Sequence, residues 1–121
     1  MNDLKIDIGY KIWIKNKGNA FGKGPYTLLK NIESMGSLSQ AAAAIKMSYR
    51  GAWGLIKTCE ERLGFTLIER QVGGSSGGYS RLTSDGMEFI RWYESLNKEV
   101  SDAVEKIFNK KLNKLFKDKK K

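Results

Sequence analysis

The hydrophobic pattern of the first residues is that of a β-strand. Six apolar side chains occupy every second position, and all but one of the residues between them, Trp13, are polar or small; the six are Leu4, Ile6, Ile8, Tyr10, Ile12 and Ile14. Strict alternation has the period of a strand with one buried face. We therefore predict a strand over residues 4–14, followed by a Gly- and Asn-rich connection from Asn16 to Gly24.

The pattern then changes to a helical period. Pro25 suits the first turn of a helix, and the apolar residues behind it, Leu28, Leu29 and Ile32, lie three and four positions apart. Gly36 is expected to end this helix, because glycine readily takes the left-handed conformation at a helix C-terminus.

Two further helices follow in the order of a helix-turn-helix. Ser37 starts the Ser-x-x-Gln spacing of a capping box, and the short helix Ala41–Ile45 behind it has mostly small side chains. A three-residue turn leads to Ser48, which is expected to cap a helix over Tyr49–Leu63 that ends before Gly64. The alanines would allow the two helices to cross closely.

The second of these helices has one apolar and one polar face. At 100° per residue the apolar face comprises Ala52, Ile56, Cys59 and Leu63, and the opposite face comprises Arg50, Gly54, Lys57 and Glu61. Arg50 could reach a guanine edge or a phosphate, and Gly54 would let a duplex approach closely. A surface helix with incidental charges is the alternative. Trp53, at the border of the apolar face, is assigned to the core, with stacking on a sugar as the alternative. Glu60 and Glu61 are assigned to solvated surface charge.

A hairpin with a glycine-rich tip follows. The strands are predicted at residues 65–70 and 79–82, around the loop 73–78, and Arg70 and Arg81 flank that loop. Backbone amides between two arginines suit phosphate contact, as in the wing of a winged helix-turn-helix. A loose loop beside two solvated arginines is the alternative. The spacing Gly73-x-x-x-x-Gly78 is not followed by Lys, so we reject a nucleotide-hydrolysing P-loop.

The last predicted element is a long helix. Thr83 would cap it, and it would run from Ser84 toward Lys110. Its apolar residues follow a heptad seam, which predicts a dimerisation face formed by Phe89, Tyr93, Leu96, Val100 and Ile107. We divide the chain into a domain at residues 1–109 and a basic tail at residues 110–121.

Charge and composition narrow the possible functions. The 121 residues carry a net charge of +9, but the tail alone holds seven Lys and one Asp, so nucleic-acid binding must be argued from the body of the chain. With no His and one Cys, we exclude a Ser-His-Asp or Cys-His site, a His- or Cys-cluster metal site and an intrachain disulfide. We expect no cofactor, no membrane span, and a reducing, cytoplasmic location.

Several of these segments resemble a known family. The run Gly36-Ser37-Leu38-Ser39-Gln40-Ala41-Ala42, with Ser48 and the Glu60-Glu61 to Glu69-Arg70 segment, resembles the helix-turn-helix of LysR-type regulators. The run Ser48-Tyr49-Arg50-x-Ala52-Trp53, the glycine-rich wing and Leu82-Thr83-x-x-Gly86 are more similar to the N-terminal domain of the molybdate-responsive ModE regulators. The resemblance covers about residues 4 to 108.

The resemblance implies a dimeric DNA-binding protein and a set of contacts. On the helix Tyr49–Leu63 and its cap the contacts would be Ser48, Tyr49, Arg50, Gly54 and Lys57. Ser37 and Ser39 would lie near phosphate, and the wing would contribute Arg70, Ser75, Ser76 and Arg81. No molybdate motif follows the long helix, so we do not expect molybdate to bind, even if the regulated genes concern molybdenum.

The sequence therefore predicts an α+β winged helix-turn-helix with an N-terminal strand, a wing hairpin and a long C-terminal dimerisation helix. It would act as a homodimer that binds double-stranded DNA and regulates transcription. One alternative is a basic architectural or RNA-binding protein with little sequence readout. Another is an adaptor that recruits a protein through the long helix. An enzyme is the least favoured class.

Overall fold

The computed structural model describes residues 4–71 and 79–119. They form two compact units, one of residues 12–92 and one that joins residues 4–11 with residues 93–119. Within the described residues, four helices and two antiparallel hairpins confirm the predicted α+β class. None of the helices described is long and apolar enough to cross a membrane.

The first hairpin corrects the predicted N-terminal strand. Only β1 (Ile14–Lys15) is a strand, and it pairs with β2 (Asn19–Phe21), whereas residues 4–13 have no regular secondary structure. A strand needs a neighbour for its backbone hydrogen bonds, and β2 is too short to reach further back. β2 lies in the segment predicted as a connection, yet Ala20 and Phe21 are buried.

The three short helices agree with the capping pattern. They are α1 (Lys23–Met35), α2 (Leu38–Ala44) and α3 (Tyr49–Leu63). Ser37 Oγ accepts a hydrogen bond from Gln40 N at 3.1 Å, and Ser48 Oγ accepts one from Gly51 N at 2.9 Å. Gly36 and Gly64 end α1 and α3 with φ of 71° and 90°. These four local predictions are confirmed.

The core of the larger unit lies where the three helices meet. Its fully buried members include Leu28, Leu29 and Ile32 of α1, Leu38, Ala41 and Ala42 of α2, and Ala52 and Ile56 of α3. The small side chains of α2 let its neighbours come close, as the alanine run predicted. This packing leaves the opposite face of α3 exposed.

The second hairpin and the last helix complete the larger unit. Strands β3 (Ile68–Gln71) and β4 (Tyr79–Leu82) pair antiparallel, with Ile68 opposite Leu82. α4 (Ser84–Lys119) starts immediately after Thr83, whose Oγ1 accepts a hydrogen bond from Gly86 N at 2.8 Å. A side chain at Gly86 would place its Cβ 2.2 Å from Leu67 O, so only glycine lets α4 pass this close to the chain before β3.

α4 is longer than its pattern predicted. It extends through Lys119, past the expected end near Lys110. Phe108, Leu112 and Phe116 remain half-buried at every fourth position, so the lysine-rich stretch keeps a helical period. The expectation that the tail lysines lack a fixed geometry is therefore wrong for residues 110–119. The division into a domain and a tail stays a prediction.

Candidate DNA-binding interface

The exposed face of α3 is the centre of the candidate interface. Ala52, Ile56 and Cys59 are buried, which fixes the orientation of the helix. Arg50, Gly54 and Lys57, on the opposite side, are exposed, as the sequence predicted. Within the described residues Arg50 has no hydrogen-bond or ion-pair partner. None of these residues therefore has to release the guanidinium before it can contact a ligand.

The two glycines of α3 have different surroundings. A Cβ at Gly51 would lie 2.9 Å from Ser48 Oγ, so the cap of the helix accounts for that glycine. A Cβ at Gly54 would meet nothing within 4 Å. Glycine in a helix interior costs about 1 kcal/mol relative to alanine. No contact among the described residues requires a glycine at position 54. Its presence is consistent with close approach by a partner.

Arg70 connects the wing to α3. Its guanidinium carbon lies 4.1 Å from the centroid of the Trp53 ring, and Nη1 donates a hydrogen bond to Tyr49 Oη. Lys57 Nζ lies 5.5 Å from the same Trp53 ring. Trp53 is half-buried, so its assignment to the core is wrong: the side chains of two cations, rather than the core, lie over its ring.

Arg81 has an internal partner on the neighbouring strand. Its Nε donates a hydrogen bond to Glu69 Oε1 at 2.5 Å, directly across the β3–β4 ladder. This hydrogen bond is the main cause that raises the pKa of the Arg81 guanidinium, with smaller contributions from Tyr79 and from the Glu69 charge. Both arginines that flank the wing are exposed, and both are positioned by neighbouring side chains.

The remaining predicted contacts lie in different surroundings. Ser48 and Tyr49 are exposed at the start of α3, and Ser39 is exposed on α2. Ser37 is half-buried, with its hydroxyl already used in capping α2. Ser75 and Ser76 lie outside the described residues.

Glu60 has a role that the sequence interpretation missed. Its Oε2 accepts hydrogen bonds from Leu67 N at 2.7 Å and from Ile68 N at 3.3 Å. The assignment of Glu60 to solvated charge is therefore wrong, because this carboxylate joins α3 to the start of β3. In the sequence, the only indication of this contact is an acidic residue near the end of α3, a few residues before a predicted strand whose first backbone amides need acceptors. The Glu60 carboxylate thus holds the start of the wing beside α3.

The predicted dimerisation residues do not share one environment. The Phe89 ring packs edge-to-face against Phe21 at 4.7 Å and Phe65 at 5.6 Å between ring centroids, within the larger unit. Tyr93 is buried, Leu96 and Val100 are half-buried, and Ile107 is exposed. Their role in dimerisation stays a prediction.

Cys59 is buried among the core residues, as expected. Burial raises the pKa of its thiol to about 11, with a smaller opposing effect of Arg62 and a small rise from Glu60. Such a thiol is a poor nucleophile at neutral pH. No group of three or more potential metal ligands occurs among the residues that the structure describes.

Comparison with known proteins identifies the family. Residues 26–87 match the family described as bacterial regulatory helix-turn-helix protein, lysR family. This match begins within α1, includes the helix-turn-helix and the wing, and ends in the first turn of α4.

Curated relatives match the N-terminal part of longer regulators. The molybdenum transport protein ModE of Azotobacter vinelandii is 32% identical over 90 residues, which is 74% of this chain and 33% of that protein. The DNA-binding transcriptional dual regulator ModE of Escherichia coli K12 is 39% identical over 70 residues, 58% of this chain and 27% of that protein. The chain thus spans about a third or less of these relatives.

A solved structure supports the fold. ArgP from Mycobacterium tuberculosis is similar with a TM-score of 0.51 and 20% identity, over 70% of this chain and 30% of that one. The ModE-like and LysR-like motifs of the sequence agree with these matches, and both the matched family and the Escherichia coli relative are described as regulatory. The chain therefore belongs to the LysR family of bacterial regulatory helix-turn-helix proteins.

Proposed function

We propose that this chain binds double-stranded DNA as a homodimer and regulates transcription by reading sequence through α3. The observation that carries the proposal is the exposed α3 face, where Arg50 and Lys57 flank the open space at Gly54. A face with two cations and no side chain between them fits the major groove, where arginine can pair with guanine.

The wing supports this assignment. Arg70 and Arg81 project from β3 and β4, and Arg70 lies against the Trp53 ring of α3. The wing cations are thus held beside the α3 face. These wing arginines would contact DNA phosphates, and phosphate contacts set the register of a protein on a duplex. Base contacts of α3 would select the sequence.

The homodimer is supported by apolar side chains on α4. Ile107 is 57% exposed, and Leu96 and Val100, which precede it on the predicted seam, are half-buried. A second copy that covers this seam would remove its apolar side chains from water. A two-fold dimer would present two α3 helices to successive half-sites of a duplex.

The relatives suggest a physiological setting. Since the ModE of Azotobacter vinelandii is described as a molybdenum transport protein, we propose that the target genes of this chain concern molybdenum. A cytoplasmic location follows from the proposed partner.

Selection from random duplexes tests the proposal. The full chain should enrich one motif, and the double variant Arg50→Ala/Lys57→Ala should lose that enrichment. Lys106→Ala/Lys111→Ala removes the same charge from exposed positions of α4 and is the matched control, which should retain the motif. Recovery of unrelated sequences by the unmodified chain would contradict the proposal and favour the architectural alternative.

A further inference from the structure

The N-terminal segment, residues 5–11, has the pattern of a strand and no strand beside it. No strand of the described chain is paired with this segment. Its apolar side chains Ile6, Ile8 and Tyr10 are 43%, 38% and 39% exposed. An exposed alternating segment of this kind is a template for pairing with another chain.

We propose that the N-terminal segment pairs antiparallel with the same segment of a second copy, with Gly9 of both copies at the two-fold axis. This inference rests on the homodimer of the proposed function and specifies one of its contacts. The strand that the alternation predicts would then form only in the dimer, where each copy supplies the neighbour that the other lacks.

The charges of the segment support this register. The polar side carries Lys5, Asp7, Gly9 and Lys11. Centred on Gly9, the pairing sets each Asp7 opposite Lys11 of the other copy, which makes two opposite-charge pairs. Centred on Asp7 it sets two aspartates opposite each other, and centred on Ile8 it sets Lys5 opposite Lys11. Both of those arrangements oppose like charges.

The register centred on Ile6 also pairs opposite charges, and it opposes no like charges. Centred on Ile6, it sets Lys5 opposite Asp7, but it also sets Tyr10 opposite the polar Asn2. Centred on Gly9, Ile8 of each copy lies opposite Tyr10 of the other, so apolar side chains of the two segments meet each other. Burial of apolar side chains from both copies on one face therefore favours the register centred on Gly9.

Gly9 also makes the proposal directly testable. A Cβ at this position would meet nothing within 4 Å, so a larger side chain fits the structure. Opposed residues of antiparallel strands have Cα atoms about 4.5–5.5 Å apart. A disulfide spans Cα distances of about 4.4–6.8 Å, so a thiol at this position could join the two copies.

Cysteine crosslinking of the full chain is the test. Under mild oxidation, Gly9→Cys should convert most of the protein to a covalent dimer. Ile6→Cys is the matched control, because its Cα atoms would be about 20 Å apart across the two-fold axis and should not join. The unmodified chain should not crosslink either, since its single cysteine, Cys59, is buried.

Charge exchange gives a second readout that does not depend on disulfide formation. Asp7→Lys and Lys11→Asp should each weaken the dimer by about tenfold, because each replaces two attractive pairs by two repulsive ones. The double variant Asp7→Lys/Lys11→Asp restores both pairs and should restore the dimer. Single variants as dimeric as the unmodified chain would overturn the proposed register.

Ultracentrifugation and duplex binding of the same samples separate this inference from the proposed function. A dimeric, DNA-binding chain whose Gly9→Cys variant does not crosslink would overturn the strand pairing and leave the proposed function intact. A monomeric chain would overturn both the pairing and the homodimer. Crosslinking of Ile6→Cys in place of Gly9→Cys would also overturn the pairing about Gly9.

Discussion

The guanidinium of Arg70, on β3, lies 4.1 Å from the ring centroid of Trp53, on α3. The contact joins the wing to the helix that we propose reads DNA, and Arg70 also donates to Tyr49 Oη. Arg70 therefore positions the wing in addition to contributing charge. Its position on the ring also explains why Trp53 is not a core residue.

Arg70→Ala should uncover the Trp53 ring with little effect on folding. An exposed cation–π contact contributes about 0.5–1 kcal/mol, so the free energy of unfolding should fall by no more than about that amount. Acrylamide quenching of fluorescence, measured in a Trp13→Phe/Trp92→Phe background, should increase. Arg70→Lys keeps the charge and should quench at an intermediate level. Equal quenching in all three proteins would contradict the stacked arrangement.

Gly54→Ala should separate stability from DNA binding. The substitution should stabilise α3 by about 1 kcal/mol, because the added methyl group enters open space and alanine is the better helix former. Binding to a duplex should weaken, because the methyl group would lie between the helix and the groove. Thermal unfolding and fluorescence anisotropy measure the two effects.

Gly51→Ala is the comparison for that experiment. Its Cβ would lie 2.9 Å from Ser48 Oγ, so the cap must shift and the stability gain should be smaller. Unchanged DNA affinity of Gly54→Ala would show that a partner does not approach this part of α3.

Glu60→Ala should destabilise the fold more than Glu61→Ala. Loss of the carboxylate leaves Leu67 N and Ile68 N without their acceptor, and hydrogen bonds to charged groups contribute about 1.5–3 kcal/mol each. Glu61 is exposed, and surface substitutions usually change stability by less than about 0.5 kcal/mol. Denaturant unfolding should show this order. Equal effects would show that the Glu60 contact does not stabilise the fold.

Cys59 should react with thiol reagents only when the chain unfolds. Burial raises the pKa of its thiol from 9.0 to about 11, so little thiolate exists in the folded protein at pH 8. As pH rises, the Cys59 thiol loses its proton at lower pH in the unfolded chain than in the folded one. The free energy of unfolding should therefore fall between pH 9 and about 11. Labelling at pH 8 should be slow without denaturant and fast in urea. Rapid labelling of the folded chain would contradict the burial.

The sequence predicted the features that depend on neighbouring residues better than those that depend on contacts between distant residues. Ser48 and Gly64 bounded α3 correctly, because capping depends on atoms within one helical turn. The strand at residues 4–13 failed because alternation specifies a face but does not supply a neighbouring strand. Glu60 and Trp53 were misassigned because their partners, Leu67 and Arg70, belong to the region of the wing.

The central claim is that α3 reads sequence, and the effect of Arg50→Ala on sequence preference tests it most directly. Binding of the variant should be measured against a panel of operator duplexes at two or more salt concentrations. Removal of a base contact should flatten the preference at one position by about 1–3 kcal/mol.

Deletion of residues 110–121 is the comparison, since it removes seven lysines without changing α3. It should weaken binding to all duplexes alike and make the salt dependence shallower, by up to about 0.9 in slope for each phosphate that the lysines had neutralised. The account predicts flattened preference for Arg50→Ala and retained preference after the deletion. Unchanged preference for Arg50→Ala, together with abolished preference after the deletion, would contradict it.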